Sequence, residues 1–259
     1  MKILLILASF LLVSLAYAAP APIITSTIEP QADKKQNFAI GFTSSIAQRP
    51  FVGVDNQATS LVYISTRYKT FYIEGLDAGV NLLQSDNFNL DILATPRYYE
   101  VKASFADNGD LNGIDETKPT YLLGVSMQTG LGDVNATLQL LHDVIESDGN
   151  EAVLQFSKSF KATNDLTLSP SIGATYQDKK LVDHFYGVQV NEVIANRAFY
   201  SGKSSVNYNA TIHAKWNVAK HIELLGQIRY EALGDGITDS SIVDEDSIYS
   251  LTIGVLYRF

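Results

Sequence analysis

The sequence contains no cysteine, one tryptophan and two methionines in 259 residues. The lack of cysteine excludes a disulfide framework, a thiolate metal site and a lipid anchor attached through sulfur. Beyond the first fifteen residues no stretch approaches the roughly 18 consecutive apolar residues of a membrane helix. There is no cluster of Lys and Arg either. The formal charge is −9, and it falls to −10 once Lys2 is set aside. Nucleic acid is therefore a poor partner, because phosphate binding needs clustered cations to displace counterions. No composition shift or fixed-period repeat divides the chain after its first 36 residues, so one domain is expected.

The N-terminus has the order of an export signal. Met1 and Lys2 precede an apolar run from Ile3 to Leu15, followed by Ala16-Tyr17-Ala18 and then Ala19-Pro20. The run is too short to span a bilayer as a helix, and the small-x-small triplet marks cleavage after Ala18. Residues 1–18 thus read as a signal peptide. Residues 19–36, with Pro20, Pro22 and Pro30 and no periodicity, read as a flexible periplasmic lead-in. Residues 37–259 are left for the folded domain.

Those residues alternate with a period of two. Tyr249, Leu251, Ile253, Val255, Tyr257 and Phe259 fall on one face and Ser250, Thr252, Gly254 and Arg258 on the other, with Leu256 alone breaking the polar row. Val206 to Trp216, Ile222 to Tyr230 and Leu166 to Tyr176 repeat the pattern. Weaker versions run over Phe38 to Ile46, Leu61 to Tyr68, Phe71 to Gly75, Ala78 to Leu83, Phe88 to Val101, Tyr121 to Met127, Val134 to Leu141 and Ala152 to Phe160. Successive strand side chains point to opposite faces, so one face meets an apolar medium and the other a polar one.

A soluble sandwich also alternates. Two features favour a membrane barrel. Tyr176, Trp216, Tyr230, Tyr249, Tyr257 and Phe259 sit at strand ends, where interfacial girdles form. Short connections at 67–70, 84–87, 129–133, 161–165 and 217–220 also alternate with long ones at 48–60, 102–120, 177–204 and 233–246. The expectation is an all-β fold: a closed antiparallel transmembrane β-barrel of about 12 strands, both termini in the periplasm. Ten strands would fit if no hairpin formed near Gly75 and Leu76. Pro96 and Pro170 lie inside predicted strands, and a bulge is expected at each.

The residues also carry a family resemblance. Leu166-Thr-Leu-Ser-Pro-Ser-Ile172, Tyr176-Gln-Asp-Lys-Lys180 and Phe185-Tyr-Gly-Val188, followed by Glu192 and Tyr200, are similar in order and spacing to the MltA-interacting protein (MipA/OmpV) family of outer-membrane barrels. So are Tyr230-Glu-Ala-Leu-Gly-Asp235, Ser241-Ile-Val243 and Tyr257-Arg-Phe259, with Arg49-Pro-Phe-Val-Gly-Val-Asp55 and Phe71-Tyr-Ile-Glu-Gly75 in the first half. The resemblance implies a non-enzymatic protein of the cell outer membrane. Some members are described as scaffolds joining a lytic transglycosylase to a murein synthase, others as surface antigens or adhesins. A narrow channel for small polar solutes is the rival reading of the barrel itself. Outer-membrane lipid, lipopolysaccharide and the barrel assembly machinery are the further partners implied.

Candidate sites are few. Tyr257, Arg258 and Phe259 form an aromatic-ended strand of the kind the assembly machinery captures by adding a strand. Asp91, Arg97, Glu223, Arg229, Glu231 and Arg258 fall on the predicted lumen face, as paired charges filling the interior or as a pore lining. Asn108-Gly-Asp-Leu-Asn-Gly113 resembles part of a calcium loop, but Pro119 stands where the bidentate glutamate belongs, so a solvated turn is the plainer reading. Asp235, Asp239, Asp244, Glu245 and Asp246 read as a solvated acidic loop. No cofactor or metal is called for. Of His142, His184, His213 and His221, only His184 lies in a long outer loop, and no serine stands in a nucleophile motif, which gives no catalytic expectation.

Overall fold

The computed structural model describes residues 38–259. The signal peptide and lead-in lie outside the described residues. Thirteen strands run in order: β1 (Phe38–Ala47), β2 (Gln57–Tyr68), β3 (Phe71–Glu74), β4 (Asp77–Gln84), β5 (Phe88–Arg97), β6 (Thr120–Leu131), β7 (Val134–Asp143), β8 (Asn150–Ser157), β9 (Phe160–Lys161), β10 (Leu166–Gln177), β11 (Ser205–Ala219), β12 (Ile222–Ala232) and β13 (Ser247–Arg258). Each pairs antiparallel with its neighbour. The ring closes where β1 meets β13, with Ala39 opposite Arg258. Because β8 and β9 lie end to end along β10, the wall is a closed barrel of twelve staves.

The two faces of this wall are sorted by the alternation. Phe42, Ile172, Ile228, Ile253 and Tyr208 point out and are exposed, whereas Thr43, Ser45, Ser171, Asn209, Gln227 and Thr252 point in and are buried. That is inverted relative to a water-soluble core, and it suits a wall bathed by hydrocarbon. Among the described residues no helix is long and apolar enough to cross a membrane. Strands are the alternative, because closure gives every stave a neighbour for its backbone hydrogen bonds. Aromatic side chains collect at both ends of the outer face. The Tyr230 and Tyr249 rings lie 4.9 Å apart in a tilted pair at one end, and Phe38, Tyr257 and Phe259 gather at the other.

The connections at the end that holds Phe38 and Phe259 are tight. Those at the opposite end include four long or folded loops: L1 (48–56), L3 (98–119), L5 (178–204) and L6 (233–246). A hairpin does form at Gly75, whose φ of 63° lies in the left-handed region that glycine adopts without a Cβ penalty, so the count is twelve rather than ten. Its strand β3 is only four residues long.

Neither proline produces the expected bulge. Lys158 N–H donates to the Pro170 carbonyl at 3.1 Å, and the register is the same on both sides of it, Ser171 facing Ser157 and Leu168 facing Phe160. The missing proline N–H removes one rung and divides β8 from β9 without inserting a residue. Pro96 lies past Ala94, the last β5 residue matched with β4, so no strand adjoins it on that side. The register shifts fall instead between Asn81 and Leu83 and between Asn217 and Ala219.

Candidate functional site

Two regions concentrate polar and charged chemistry: the barrel interior and the outer mouth. All six sequence-predicted lumen residues belong to the inward rows, but they form separate clusters rather than one line. Asp91 accepts from Asn81 Nδ2 at 2.8 Å. Arg258 donates to Glu223 at 2.7 Å near the chain termini, with Lys215 3.7 Å from the same carboxylate. Arg229 donates to Glu231, two residues along the same strand, at 3.0 Å.

Arg97 makes the most enclosed pair. Its Nε lies 3.2 Å from both carboxylate oxygens of Glu151, while Nη1 donates to Thr95 Oγ1 and the Pro96 carbonyl. Gln177 Nε2 also donates to Glu151. Both side chains of the pair are almost fully buried. Glu151 was not singled out from the sequence because the alternation was read as starting at Ala152. Its inward parity with Val153 and Gln155 was the available signal.

Above this pair the outer loops fold into a packed cap, which the sequence did not announce. Phe51 of L1, Val101, Leu111 and Ile114 of L3, Leu181, Val182, Phe185, Tyr186, Val188 and Tyr200 of L5, and Ile237 and Ile242 of L6 form one buried cluster. Full burial of a side chain of this size contributes about 1.5–3 kcal/mol. The helix α1 (Lys179–Tyr186) presents Leu181, Val182, Phe185 and Tyr186 to that cluster. It begins at Asp178, whose Oδ1 accepts the N–H groups of Lys180 and Leu181, and it ends at Gly187, whose N–H returns to the Asp183 carbonyl. L6 is tied down through a short helix, α2 (Asp235–Thr238), where the Gly236 carbonyl accepts from the Tyr200 hydroxyl at 2.7 Å. The acidic loop is thus anchored to the cap rather than free.

Three further residues hold the cap: Arg49 and Glu192, which the sequence offers only as part of the family resemblance, and Arg197, which it does not mark at all. Arg49 is buried, donates to the Tyr98 carbonyl at 3.1 Å and lies over the Phe105 ring. Burial lowers its guanidinium to about 10, against the opposing pull of Glu100. Glu192 accepts the N–H groups of Asp115 and Gln189 at 2.6 and 2.5 Å, stitching L3 to L5. Arg197 donates to the carbonyls of Asp110 at 3.1 Å, Asn112 at 3.0 Å and Glu192 at 2.9 Å. The stretch Asn108 to Gly113 is therefore organised by a buried guanidinium bound to its carbonyls. Among the described residues no group of three or more His, Asp and Glu could hold a metal ion.

His213 faces inward opposite Gln227, and His184 lies 3.1 Å from the Lys118 carbonyl. Tyr257, Arg258 and Phe259 stand at the closing seam. The Phe259 N–H donates to the Phe38 carbonyl at 3.0 Å, and the two rings are 5.3 Å apart.

Comparison with known proteins places this architecture. A family model described as MltA-interacting protein MipA matches residues 40–259. The "Putative outer membrane protein YiaT" of Escherichia coli K12 is 26% identical over 225 residues, covering 85% of this chain and 90% of that one. The "MltA-interacting protein" of the same organism is 25% identical over 245 residues, covering 92% and 96%. Among solved structures, the translocator domain of autotransporter NalP from Neisseria meningitidis aligns with a TM-score of 0.48 at 12% identity, covering 89% and 91%.

Proposed function

We propose, from the premise that the chain belongs to the MltA-interacting protein MipA family of outer-membrane barrels, that it is a non-catalytic scaffold of the cell envelope. In this role it holds a lytic transglycosylase and a murein synthase beside the outer membrane. The observation that carries the reading is the match, along nearly the whole length of both chains, to a relative named for its interaction with MltA. The geometry supports it in two ways. The outer mouth carries a packed cap and five of the six interior charges singled out above lie in ion pairs, so the barrel has the build of a rigid anchor. Four of the five inner turns, at Lys69, Asp86, Asp133 and Lys220, are short and surface-placed, which suits a static docking rim.

The test is site-specific photo-crosslinking from those four turns in intact cells. Capture of a lytic transglycosylase from at least one turn is the expected result. Crosslinks confined to lipid and the assembly machinery would overturn the scaffold role.

A channel for small polar solutes is the second reading, and the row of inward hydroxyl and amide side chains favours it. Steady single-channel conductance in planar bilayers from the capped barrel would select it over the scaffold.

A further inference from the structure

The cap carries an apolar ridge that no element among the described residues covers. In L5 the backbone pairs Val188 with Tyr200 and, nearer the tip, Ile194 with Arg197, so residues 188–200 form a projecting hairpin-like excursion. Its base is fixed in the cap core through Val188 and Tyr200, and its tip through the buried Arg197. Yet Val190 is 77% exposed, Phe199 53%, Ile194 46% and Val193 44%. Four large apolar side chains held in water on an anchored excursion, at the end of the barrel away from Phe38 and Phe259, are not explained by packing among the described residues.

The flanks of the ridge are acidic. On one side Arg197 and Glu192 tie it to the L3 stretch that contains Asp107, Asp110, Asp115 and Glu116. On the other, Ser241 Oγ donates to the Ala198 carbonyl at 2.6 Å, which brings L6 with Asp244, Glu245 and Asp246 alongside. Counted over all six outer connections there are sixteen Asp and Glu against seven Lys and Arg, a net of −9. The inner turns, by contrast, are balanced. Almost all the net charge of the described chain thus surrounds the mouth where the ridge stands.

We infer that this ridge is a docking surface for a cationic amphipathic peptide segment, whose apolar row covers Val190, Ile194 and Phe199 while its Lys and Arg meet the acidic banks of L3 and L6. The inference goes beyond the scaffold role, since it concerns the mouth opposite the inner turns. Apolar burial supplies the affinity, and charge complementarity selects the sign of the partner and speeds its approach.

The experiment uses the full barrel in nanodiscs of zwitterionic lipid and a fluorescently labelled Leu/Lys amphipathic helical peptide, read by anisotropy against empty nanodiscs. Comparators are a scrambled peptide of the same composition and a Leu/Glu version. Wild-type barrel is expected to bind the Leu/Lys peptide above the empty-disc background, and more weakly as salt is raised. The pair Val190→Ser with Phe199→Ser, and separately the set Asp244→Asn, Glu245→Gln and Asp246→Asn, should each weaken binding about tenfold. Heat-modifiable migration in gels checks that every variant is folded, and the L6 set leaves the apolar ridge untouched should the serine pair fail that check. Binding equal to that of empty nanodiscs, equal binding of the scrambled or acidic peptide, or full retention in both variants would overturn the inference. So would a shift of the wild-type barrel to a dimer that the serine pair abolishes, because the ridge would then serve a second copy.

Discussion

Arg97 on β5 and Glu151 on β8 meet across the inside of the barrel, with β6 and β7 between their strands, and the guanidinium Nε lies 3.2 Å from each carboxylate oxygen. Removing one member leaves a buried charge with no counterion. Arg97→Ala or Glu151→Ala should each cost about 3–5 kcal/mol, whereas the double change Arg97→Met with Glu151→Met should be close to neutral. Thermal unfolding followed by the heat-modifiable gel shift measures both. Equal loss in single and double variants would show that the pair matters for shape rather than charge.

Arg197 binds three backbone carbonyls of L3 and L5. Each such charge-assisted bond is worth about 1.5–3 kcal/mol. Arg197→Ala should expose the Asn108 to Gly113 stretch to limited proteolysis while the barrel keeps its melting temperature. Chelator should have no effect on the wild type, and calcium should not rescue the variant.

Asp178 lies outside the strands. Burial opposes ionisation there, but the Leu181 and Lys180 N–H groups and the Asn150 amide outweigh it and hold the carboxyl below its usual value of 3.8. A depressed folded value means that the helix cap contributes fully above pH ~4 and is lost as the pH falls below the ordinary carboxylate range. The protection of the Leu181 and Val182 amides, taken relative to their intrinsic exchange rates, should be flat from neutrality to that point and then fall. Asp178→Ala should lower that protection by about 1 kcal/mol above pH ~4 and leave it independent of pH, so that the variant and the wild type converge in acid.

Gly41 and Gly124 sit where a Cβ would meet a neighbouring strand's carbonyl oxygen, Val255 and Leu140 respectively, at 1.8 and 1.9 Å. Gly226 has only Ala214 Cβ nearby, at 3.6 Å. Gly41→Ala and Gly124→Ala are therefore expected to destabilise by about 1–3 kcal/mol through forced backbone shifts. Gly226→Ala should stay within about 0.5 kcal/mol in the same melting assay.

Phe259 serves, in our proposal, as the aromatic end of the strand that the assembly machinery captures. Its deletion should leave the protein in the periplasm, as followed by fractionation. Normal insertion would reduce Phe259 to an interfacial aromatic beside Phe38.

The wall was legible in the sequence because each stave obeys a local rule. Tyr249 to Phe259 alternates with the single exception of Leu256, and a period of two fixes both conformation and facing. The prolines misled for a related reason. Pro170 loses one rung but keeps its pleat, a cost visible only with the partner strand in place. The cap was illegible because its core is assembled from Phe51, Leu111, Phe185, Ile237 and Ile242, residues scattered among four loops with no common period. Arg197 likewise has no motif, since its ligands are backbone carbonyls, which every residue possesses. The lumen charges could be assigned to a face, but their partners depended on register, and Glu151 was lost to a boundary misplaced by two residues.

The seam between β1 and β13 joins the first described strand to the last. A ribosome-bound chain lacking its final dozen residues would possess two raw margins and no means of joining them. Lipid offers neither margin a hydrogen bond. Closure therefore has to wait for β13, and a product truncated before it is expected to stay in the periplasm rather than insert as a smaller barrel.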